Sequence, residues 1–337
     1  MNHTIRYYQP QDREEFRRFI NNHWRENHII ATSDVVFNFQ HKLDNYYSFV
    51  VAINNTTGEI DSVFGYISTH KYDSTHQLPK VLWGAIWKTK ETPECIGLGI
   101  ALLRYIIREE KGMYATIGIS DIAKKLYKQL GYEVGQLMHY YVANPFIDAY
   151  HIAISPIKKQ YNSDTKIETR YIDIEKCEKI TNSLNPYKNI CYFRNRYKCH
   201  PIYDYRFLGV YDLGELQLII VIRKQRVGTH SCLRIVDMMG NAEFQSSILS
   251  NLQKLLVQEK AEYIDCWNHG VPSDYFITLG FEQVGGETII PDYFAPFEKR
   301  NIDLAYTHMK SDRSLIIFKG DGDQDRPNCD NKEYYED

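Results

Sequence analysis

The sequence predicts an α/β (α+β) protein with two similar domains, each built on a mixed, mostly antiparallel sheet flanked by helices. The first observation is length, because 337 residues exceed one compact core of ordinary size. The second is the order of strand-like and helix-like segments in the first half, which fits a sheet with helices on both faces. The third is that the second half of the chain repeats that order.

The first half of the chain shows the apolar spacings of strands and helices in a definite order. Phe16, Phe19 and Ile20 share one face of the first helix, and the run 54–58 is typical of a hairpin turn. Asn144 and Pro145 end this unit, so we place the first domain at residues 1–144. The predicted elements are a strand over 5–8, a helix over 11–24, strands over 48–53, 62–69 and 81–87, a helix over 97–111, a strand over 116–119, a helix over 120–130 and a strand over 137–142.

The second domain, residues 145–337, is predicted to be a divergent copy of the first. Leu279-Gly280-Phe281-Glu282 corresponds to Leu130-Gly131-Tyr132-Glu133 at the same place in the element order. The predicted elements of this domain are strands over 207–211, 216–222 and 232–237, a helix over 244–255, a strand over 262–266 and a helix over 272–279.

Composition excludes several classes of function. The formal net charge of -3 gives no electrostatic reason to expect nucleic acid or an anionic membrane as a partner. The start of the chain lacks the apolar core of a signal peptide and no apolar run is long enough to span a membrane, so we expect a cytoplasmic protein. The seven cysteines share no CxxC spacing and are expected to be reduced thiols.

Residues 319–328 resemble the start of a calcium-binding loop, because carboxylates stand at alternate positions. Arg326 stands at the position of the required glycine, and Lys332 stands at that of the closing glutamate. We therefore expect no metal site in this chain.

Two motifs in the first domain predict an anion-binding helix start beside a short helix. Gly97 and Gly99 open the predicted helix 97–111, where backbone N–H groups approach a phosphate because no Cβ stands in the way. Further along the chain, Ser120 can cap a helix that carries Tyr127 and ends at Gly131.

These motifs resemble the acyl-CoA half of a GNAT-superfamily N-acyltransferase. The signature Q/R-x-x-G-x-G/A of that superfamily fits 94–99 at both glycines, whereas Glu94 departs from it at the first position. The resemblance implies acyl-CoA as cosubstrate, with the pyrophosphate on backbone amides of the turn and the acyl carbonyl on amides of the fourth strand. The implied residues are Cys95, Ile96, Gly97, Leu98, Gly99, Ile100 and Ala101 in the turn, and Ile86, Trp87 and Lys88 in the strand.

Tyr127 lies where the superfamily usually carries a tyrosine near the CoA sulfur. A phenol at that position can protonate the departing thiolate. The alternative is a core tyrosine that packs against Leu130.

The segment between the first helix and the first hairpin covers the acceptor side of the active site in GNAT folds. We expect His28 or Asp34 to be the general base, and the alternative is an ordinary surface segment. The alternation of side chains along a strand puts Trp83 and Trp87 on one face of the fourth strand. They are therefore expected either to line the acyl pocket or to pack against a helix. The expected substrate-binding residues are Trp24, Gln40, His41 and Trp83, with Tyr293 and Phe297 from the second domain.

The second domain lacks both motifs. Residues 238–242 contain one glycine where two are needed, and Phe276 corresponds to Tyr127 when the two tetrads are aligned. We therefore expect CoA to bind the first domain only. The second domain is expected to complete an acceptor pocket in a cleft between the repeats, because domain interfaces often hold binding sites.

Residues 24–28, 290–297 and 319–328 resemble tandem-GNAT sugar N-acyltransferases from bacterial surface-polysaccharide clusters. This resemblance implies transfer of an acetyl or short hydroxyacyl group from acyl-CoA to the amine of a nucleotide-linked deoxyaminosugar, with dTDP as the expected nucleotide. The amine would attack the thioester directly. Two alternatives stay open. One is a peptidoglycan-type aminoacyl transferase, although the net charge of -3 argues against the aminoacyl-tRNA that it would use. The other is a non-catalytic acyl-CoA-binding protein in which Glu94 marks the loss of activity.

Overall fold

The computed structural model describes residues 2–73, 75–159, 166–294, 296–310 and 315–328. The described chain forms two compact units, each built on one large sheet. The first unit takes residues 2–134, 306–310 and 322–328, and the second takes the described residues of 135–305 together with 315–321. The predicted class, mixed α/β with mostly antiparallel sheets flanked by helices, is confirmed.

The elements up to residue 136 follow the predicted order closely, with two short helices and one strand in addition. They are β1 His3–Tyr7, α1 Arg13–His23, α2 Ile29–Thr32, α3 Asp34–His41, β2 Phe49–Asn54, β3 Ile60–Ser68, β4 Val81–Thr89, α4 Leu98–Glu110, β5 Met113–Ile117, α5 Asp121–Gln129 and β6 Glu133–Gln136.

The remaining elements include the predicted second set and several short strands. They are β7 Met138–Ala143, β8 Ile167–Ile172, α6 Ile190–Phe193, β9 Arg206–Asp212, β10 Glu215–Val227, β11 His230–Gly240, α7 Leu249–Gln258, β12 Tyr263–His269, α8 Ser273–Leu279, β13 Glu282–Gln283, β14 Tyr293–Phe294, β15 Phe297–Glu298, β16 Ala305–His308 and β17 Ile317–Phe318.

Each large sheet contains one strand that comes from a distant part of the chain. The first sheet has the order β1-β2-β3-β4-β5-β16-β6, so β16 lies between β5 and β6. The second has the order β13-β7-β12-β11-β10-β9-β8, so β7 lies between β13 and β12. The strand that we assigned to the end of a first domain at residue 144 therefore pairs in the second sheet.

The core of the first unit lies between its sheet and helices α4 and α5. Val50, Phe64, Leu82 and Tyr114 of the sheet pack against apolar residues of both helices, including Leu102 of α4. Each such buried side chain contributes roughly 1.5–3 kcal/mol to folding. These contacts fix the ends of α4 and α5 relative to β4 and β5, where the candidate site lies.

Helix α5 begins and ends as the sequence predicts. The Ser120 hydroxyl accepts the Ala123 N–H at 3.3 Å, and Gly131 follows the helix with a φ of +84°. The Tyr132 N–H donates to the Tyr127 carbonyl at 3.0 Å. Helix α8 ends in the same way, because the Phe281 N–H donates to the Phe276 carbonyl, also at 3.0 Å.

None of the helices in the described ranges combines the length and apolarity that crossing a bilayer requires.

Candidate active site

The pairing between the parallel strands β4 and β5 stops short of the carboxyl end of β4. Their pairing ends at Gly84 and Thr116, where the Thr116 hydroxyl donates to the Gly84 carbonyl at 2.9 Å. Beyond Gly84, β4 continues to Thr89 while its pairing with β5 does not. We call this opening the first slot, and it leaves one edge of β4 available to a ligand.

A β-bulge lies in the part of β4 that borders the first slot. Pairing with β3 jumps from Gly84–Tyr66 to Trp87–Phe64, so β4 has one more residue than β3 over this span. A bulge interrupts the ladder and redirects backbone groups, and bulges are common beside active sites. The expected oxyanion donors at 86–88 begin within this stretch.

A groove of about 650 Å³ runs beside the first slot, between the end of β4, the loop 90–97, and the first turns of α4 and α5. Ile96 and Ile122 line this groove although they are 84% and 82% exposed. Exposed apolar side chains gathered in one groove favour a ligand that covers them. The expected cofactor residues in the lining are Trp87, Lys88, Cys95, Ile96, Gly97, Gly99 and Ile100.

The first turn of α4 offers backbone donors to the groove. Gly97 precedes the helix with a φ of +84°, and a Cβ there would meet no atom within 4 Å. The N–H groups of Cys95, Ile96 and Ala101 already donate to backbone carbonyls, at 3.1, 3.3 and 3.0 Å. The donors left for a phosphate are therefore the N–H groups of 97–100, which no described backbone carbonyl accepts.

Gly99 is required by packing. A Cβ on Gly99 would lie 2.5 Å from Nε1 of Trp87, so only glycine lets α4 contact the indole this closely. The Trp87 ring in turn stacks on Phe64, with 4.9 Å between centroids and 6° between planes. The second glycine of the motif thus has a structural role in the free protein.

Two lysines in the groove are paired with carboxylates. Lys88 lies 2.7 Å from Glu91, and Lys90 lies 2.8 Å from Glu59 and 2.7 Å from Asp61. The Glu91 and Glu59 side chains are well exposed, so their pairs contribute little and exchange readily. Lys88 can therefore turn toward a diphosphate without a large cost, whereas Lys90 is also held by the buried Asp61 carboxylate.

Asp61 also organises the residues beneath the loop 90–97. His3, Asp61 and Cys95 bring potential ligand atoms within 4.8 Å of one another. Although burial opposes it, hydrogen bonds from Lys90, Asn54 and His3 lower the pKa of Asp61 to about 2. Because the Lys90 ammonium already lies against the carboxylate, we assign this cluster a structural role.

Tyr127 is packed at the inner end of the first slot. Its ring is 1% exposed and lies 5.5 Å from the Trp87 ring. Its hydroxyl is 2.6 Å from that of Tyr114, which lies against Gly84 at the last paired position of β4. Burial raises the pKa of Tyr127 above the ordinary value of 10, so the phenol keeps its proton at neutral pH. The residue therefore has the position of a proton donor and the packing of a core tyrosine.

His28 is buried at the start of α2, and its geometry favours a donor rather than a base. Nδ1 accepts the Ile30 N–H at 3.4 Å, so the neutral ring carries its proton on Nε2. Nε2 is buried and has no hydrogen-bond partner in the described chain. Burial, together with the charges of Arg326 and Arg25, lowers the pKa of His28 to about 3.

Asp34 lies at the surface and is paired with two arginines. Its carboxylate is 2.6 Å from Arg13 and 3.2 Å from Arg17, and its side chain is 61% exposed. A carboxylate held in this way has no proton-accepting role at a buried site, so we do not retain Asp34 as a general base.

The other residues expected on the acceptor side differ in exposure. Trp24 is 46% exposed at the end of α1. Gln40 is buried with no partner for Oε1 in the described chain, as a ligand-facing amide would be. His41 is buried against Phe49, with ring centroids 4.4 Å apart, and belongs to the core.

Trp83 and Trp87 lie on opposite faces of β4, and the expectation that they share a face is wrong. Leu82 and Trp87 pack into the same core beside α4. Trp83 follows Leu82 directly and therefore points to the other face. The bulge at 85–86 inserts one residue and reverses the alternation beyond it.

Residues 322–326 lie in the first unit, against the ends of β4 and β5. A Cβ on Gly322 would be 3.5 Å from Cβ of Trp83, and a Cβ on Gly118 would be 2.5 Å from Oε1 of Gln324. Asp323 is buried and accepts a 2.9 Å hydrogen bond from Arg326. This placement could not be predicted from the residue types, because a run of aspartates and glycines is typical of an exposed turn.

Helix α8 of the second unit carries Phe276, the residue that the predicted repeat aligns with Tyr127. Phe276 is fully buried and stacks on Tyr140, with 4.5 Å between centroids. Tyr293 and Phe297 lie in the two-stranded β14–β15 hairpin of this unit, and Arg300 stacks over Tyr293 at 5.2 Å.

Comparisons with known proteins identify the fold. No protein-family model matches the chain, and no curated protein matches it in sequence. The GCN5-related N-acetyltransferase from Anabaena variabilis ATCC 29413 is similar over 90% of this chain and 72% of its own, with 10% identity and a TM-score of 0.50. A probable N-acyltransferase from Enterococcus faecalis V583 is similar over 91% and 72%, with 7% identity and a TM-score of 0.50. The chain therefore has the fold of GCN5-related N-acetyltransferases.

Proposed function

We propose that this protein is an acyl-CoA-dependent N-acyltransferase with its chemistry in the first unit. The observation that carries the proposal is the first slot with its groove. Free N–H groups at 97–100 lie at one end, and the buried phenol of Tyr127 lies at the other. A flexible thioester with a diphosphate at its far end matches that arrangement in shape and in charge.

The residues supply a direct transfer of the acyl group. The neutral amine attacks the thioester carbonyl carbon, and the N–H groups of the bulged stretch of β4 stabilise the oxyanion that forms. When the C–S bond breaks, Tyr127 donates its proton to the thiolate. An amine resembling an α-amino group titrates at about 8, so part of it is neutral and able to attack near neutral pH. After the attack the nitrogen loses its extra proton to water, and water returns a proton to the Tyr127 phenolate.

For the acceptor, we propose the amine of a nucleotide-linked deoxyaminosugar. The support is the resemblance carried by 24–28, 290–297 and 319–328. The acceptor side offers unpartnered buried polar atoms, namely Nε2 of His28, Oε1 of Gln40 and Nε1 of Trp83. Such atoms gain hydrogen bonds when a hydroxylated ligand binds.

A thiol-release assay tests the proposal. The full-length protein is incubated with acetyl-CoA and a panel of dTDP- and UDP-linked aminosugars, and free CoA and the amide product are measured. The control is each parent sugar nucleotide with a hydroxyl in place of the amine, which should give no product. Absence of acetyl-CoA binding by calorimetry would refute the acyl-CoA proposal. If the protein binds acetyl-CoA but turns over only amines other than nucleotide-linked aminosugars, the proposed acceptor is wrong.

A further inference from the structure

The ends of three strands of the second sheet bring two histidines and a glutamate together. His230 begins β11, and Glu262 directly precedes β12, which runs parallel to β11. His151 lies beyond the end of β7, whose last residue, Ala143, pairs with Tyr263 at the start of β12. Two imidazoles and one carboxylate therefore meet at one edge of this sheet. We call them the His-His-Glu cluster.

The carboxylate of the cluster is buried and held in one orientation. Oε1 of Glu262 accepts the His151 N–H at 2.8 Å. Oε2 accepts the N–H groups of Ile152 and Ala153 at 2.8 and 3.3 Å. A carboxylate offers about four lone-pair sites, two on each oxygen, so Oε1 keeps one site for a further partner. Metal-binding carboxylates are commonly oriented by hydrogen bonds of this kind.

Both imidazoles approach the oxygen that keeps this site. Nδ1 of His230 is 3.7 Å from Oε1 of Glu262, and Nδ1 of His151 is 3.8 Å from the same atom. These separations are too long for hydrogen bonds. A metal ion about 2.1 Å from each donor atom holds those atoms about 3–4 Å apart. The spacing of the cluster therefore suits a shared ion better than direct bonds between its members.

The two imidazole rings can rearrange around such an ion. They are stacked, with 3.8 Å between centroids and 12° between planes. A metal lies in the plane of the imidazole that binds it, so one of two stacked rings has to turn. The His151 side chain is 56% exposed and has the freedom to do so.

A cavity of about 340 Å³ gives access to the cluster. All three residues of the cluster line it, together with Phe146 and Lys260 among others. Lys260 is exposed, so solvent screens the repulsion between its charge and a bound cation. Three protein ligands leave at least one coordination position open, and the cavity gives water access to that position.

We propose that the His-His-Glu cluster binds a Zn²⁺ ion, which ties 151–153 to the ends of β11 and β12. One nitrogen of each imidazole and Oε1 of the carboxylate would be its ligands. Two nitrogens and one oxygen suit zinc, whereas calcium and magnesium prefer oxygen ligands alone. The sequence analysis expected no metal site, because Glu262 lies 111 positions after His151 and no motif joins them. The site lies in the second unit and does not depend on the proposed function.

Calorimetry with zinc chloride on the metal-stripped, full-length protein tests the site. The parent should bind one ion per chain. His151→Ala and His230→Ala should each weaken binding at least about a hundredfold, because even partners that only orient a ligand contribute about 10–100-fold. His23→Ala is the matched control, since His23 ends α1 in the first unit, and it should bind as the parent does. Absence of binding, or equal binding by the double variant His151→Ala/His230→Ala, would overturn the proposal.

Cobalt spectroscopy separates the cluster from the seven cysteines of the chain, which also bind zinc-type ions. Co²⁺ bound at the cluster should lack the intense charge-transfer absorption that thiolate ligands cause. That absorption in the parent at one equivalent of Co²⁺ would overturn the assignment of the ligands.

Hydrogen exchange locates the ion within the fold. Saturating Zn²⁺ should slow exchange of the amides of 151–153, which donate to Glu262, in the parent. In His230→Ala the same amides should be unaffected by Zn²⁺, although their own hydrogen bonds are intact. Unchanged exchange of 151–153 in the saturated parent would show that the ion binds elsewhere, and the proposal would be wrong.

Discussion

At the scale of single residues, Tyr127 decides whether the first slot is a catalytic site or a binding groove. Tyr127→Phe should lower kcat by about a hundredfold, because the thiolate loses its proton donor while the ring keeps its packing. The KM for acyl-CoA should stay nearly constant. Steady-state kinetics with a saturating acceptor measures both.

Tyr132→Phe is the control for that experiment, because the Tyr132 ring packs 5.4 Å from Tyr127 in the same cluster. It should leave kcat unchanged. If Tyr127→Phe also keeps kcat within about twofold of the parent, the Tyr127 hydroxyl serves only packing and water protonates the thiolate.

His28 should make stability depend on pH in a predictable direction. Its folded-state pKa of about 3 lies below the unfolded value of 6.5, so the unfolded chain binds more protons between those values. Stability therefore falls as the pH decreases below 6.5. His28→Asn removes the titration and keeps a helix-capping side chain.

The measurement is urea unfolding of parent and His28→Asn at pH 7.5 and 5.5. The parent should lose about 1.4 kcal/mol more than the variant between these two pH values. Equal losses would mean that the His28 ring takes up a proton in the folded protein, which the buried geometry does not allow.

Local sequence signals predicted that Ser120 caps the helix carrying Tyr127 and that Gly97 opens α4, because helix starts and stops depend on neighbouring residues. They could not predict the state of His28 or the pairing of Asp34. Those depend on Ile30, Arg13 and Arg17, whose positions relative to the two side chains are set by folding.

At the scale of elements, the first turn of α4 can be compared directly with the end of α5. Gly97 and Gly131 share a φ of +84°, and a Cβ on either would meet no atom within 4 Å. Gly97→Ala and Gly131→Ala should each cost about 1–2 kcal/mol of stability, because an L-residue is strained in that conformation. Only Gly97→Ala should raise the KM for acyl-CoA, by roughly tenfold, since its Cβ enters the phosphate-facing side.

Thermal unfolding and acyl-CoA kinetics on both variants check this prediction. Equal KM values for the two would show that the diphosphate does not bind at the start of α4, and the proposed binding mode would be wrong.

Helices and strands were predictable because their apolar periodicity is local. The bulge in β4 was not, because one inserted residue leaves no mark in the composition of Gly84-Ala85-Ile86-Trp87. That single residue is the reason why Trp83 and Trp87, predicted to share a face, lie on opposite faces.

At the scale of the whole molecule, a fragment of residues 1–144 should not fold independently. It lacks β16, which lies inside the first sheet, and it keeps β7, whose partners lie in the second sheet. An unpaired interior strand position exposes backbone groups and promotes aggregation. Gel filtration and circular dichroism melting of the fragment and the full chain measure this.

The full chain should be well dispersed and unfold cooperatively, whereas the fragment should aggregate or melt without a transition. A monodisperse fragment with a sharp transition would show that β16 is dispensable. The order of helices and strands could be predicted from sequence, but the placement of β7 in the second sheet and of β16 in the first could not. Pairing between segments far apart in the chain has no local signal.

The exchanged strands also constrain how this protein can change over evolutionary time. If only the first unit is catalytic, a truncation that deletes the second unit would ordinarily leave the activity intact. Here such a deletion would remove an internal strand from the surviving sheet, because β16 lies near the far end of the chain. A truncation of this kind would therefore disrupt the first sheet, so the chain beyond the first unit must be retained even if it binds no substrate.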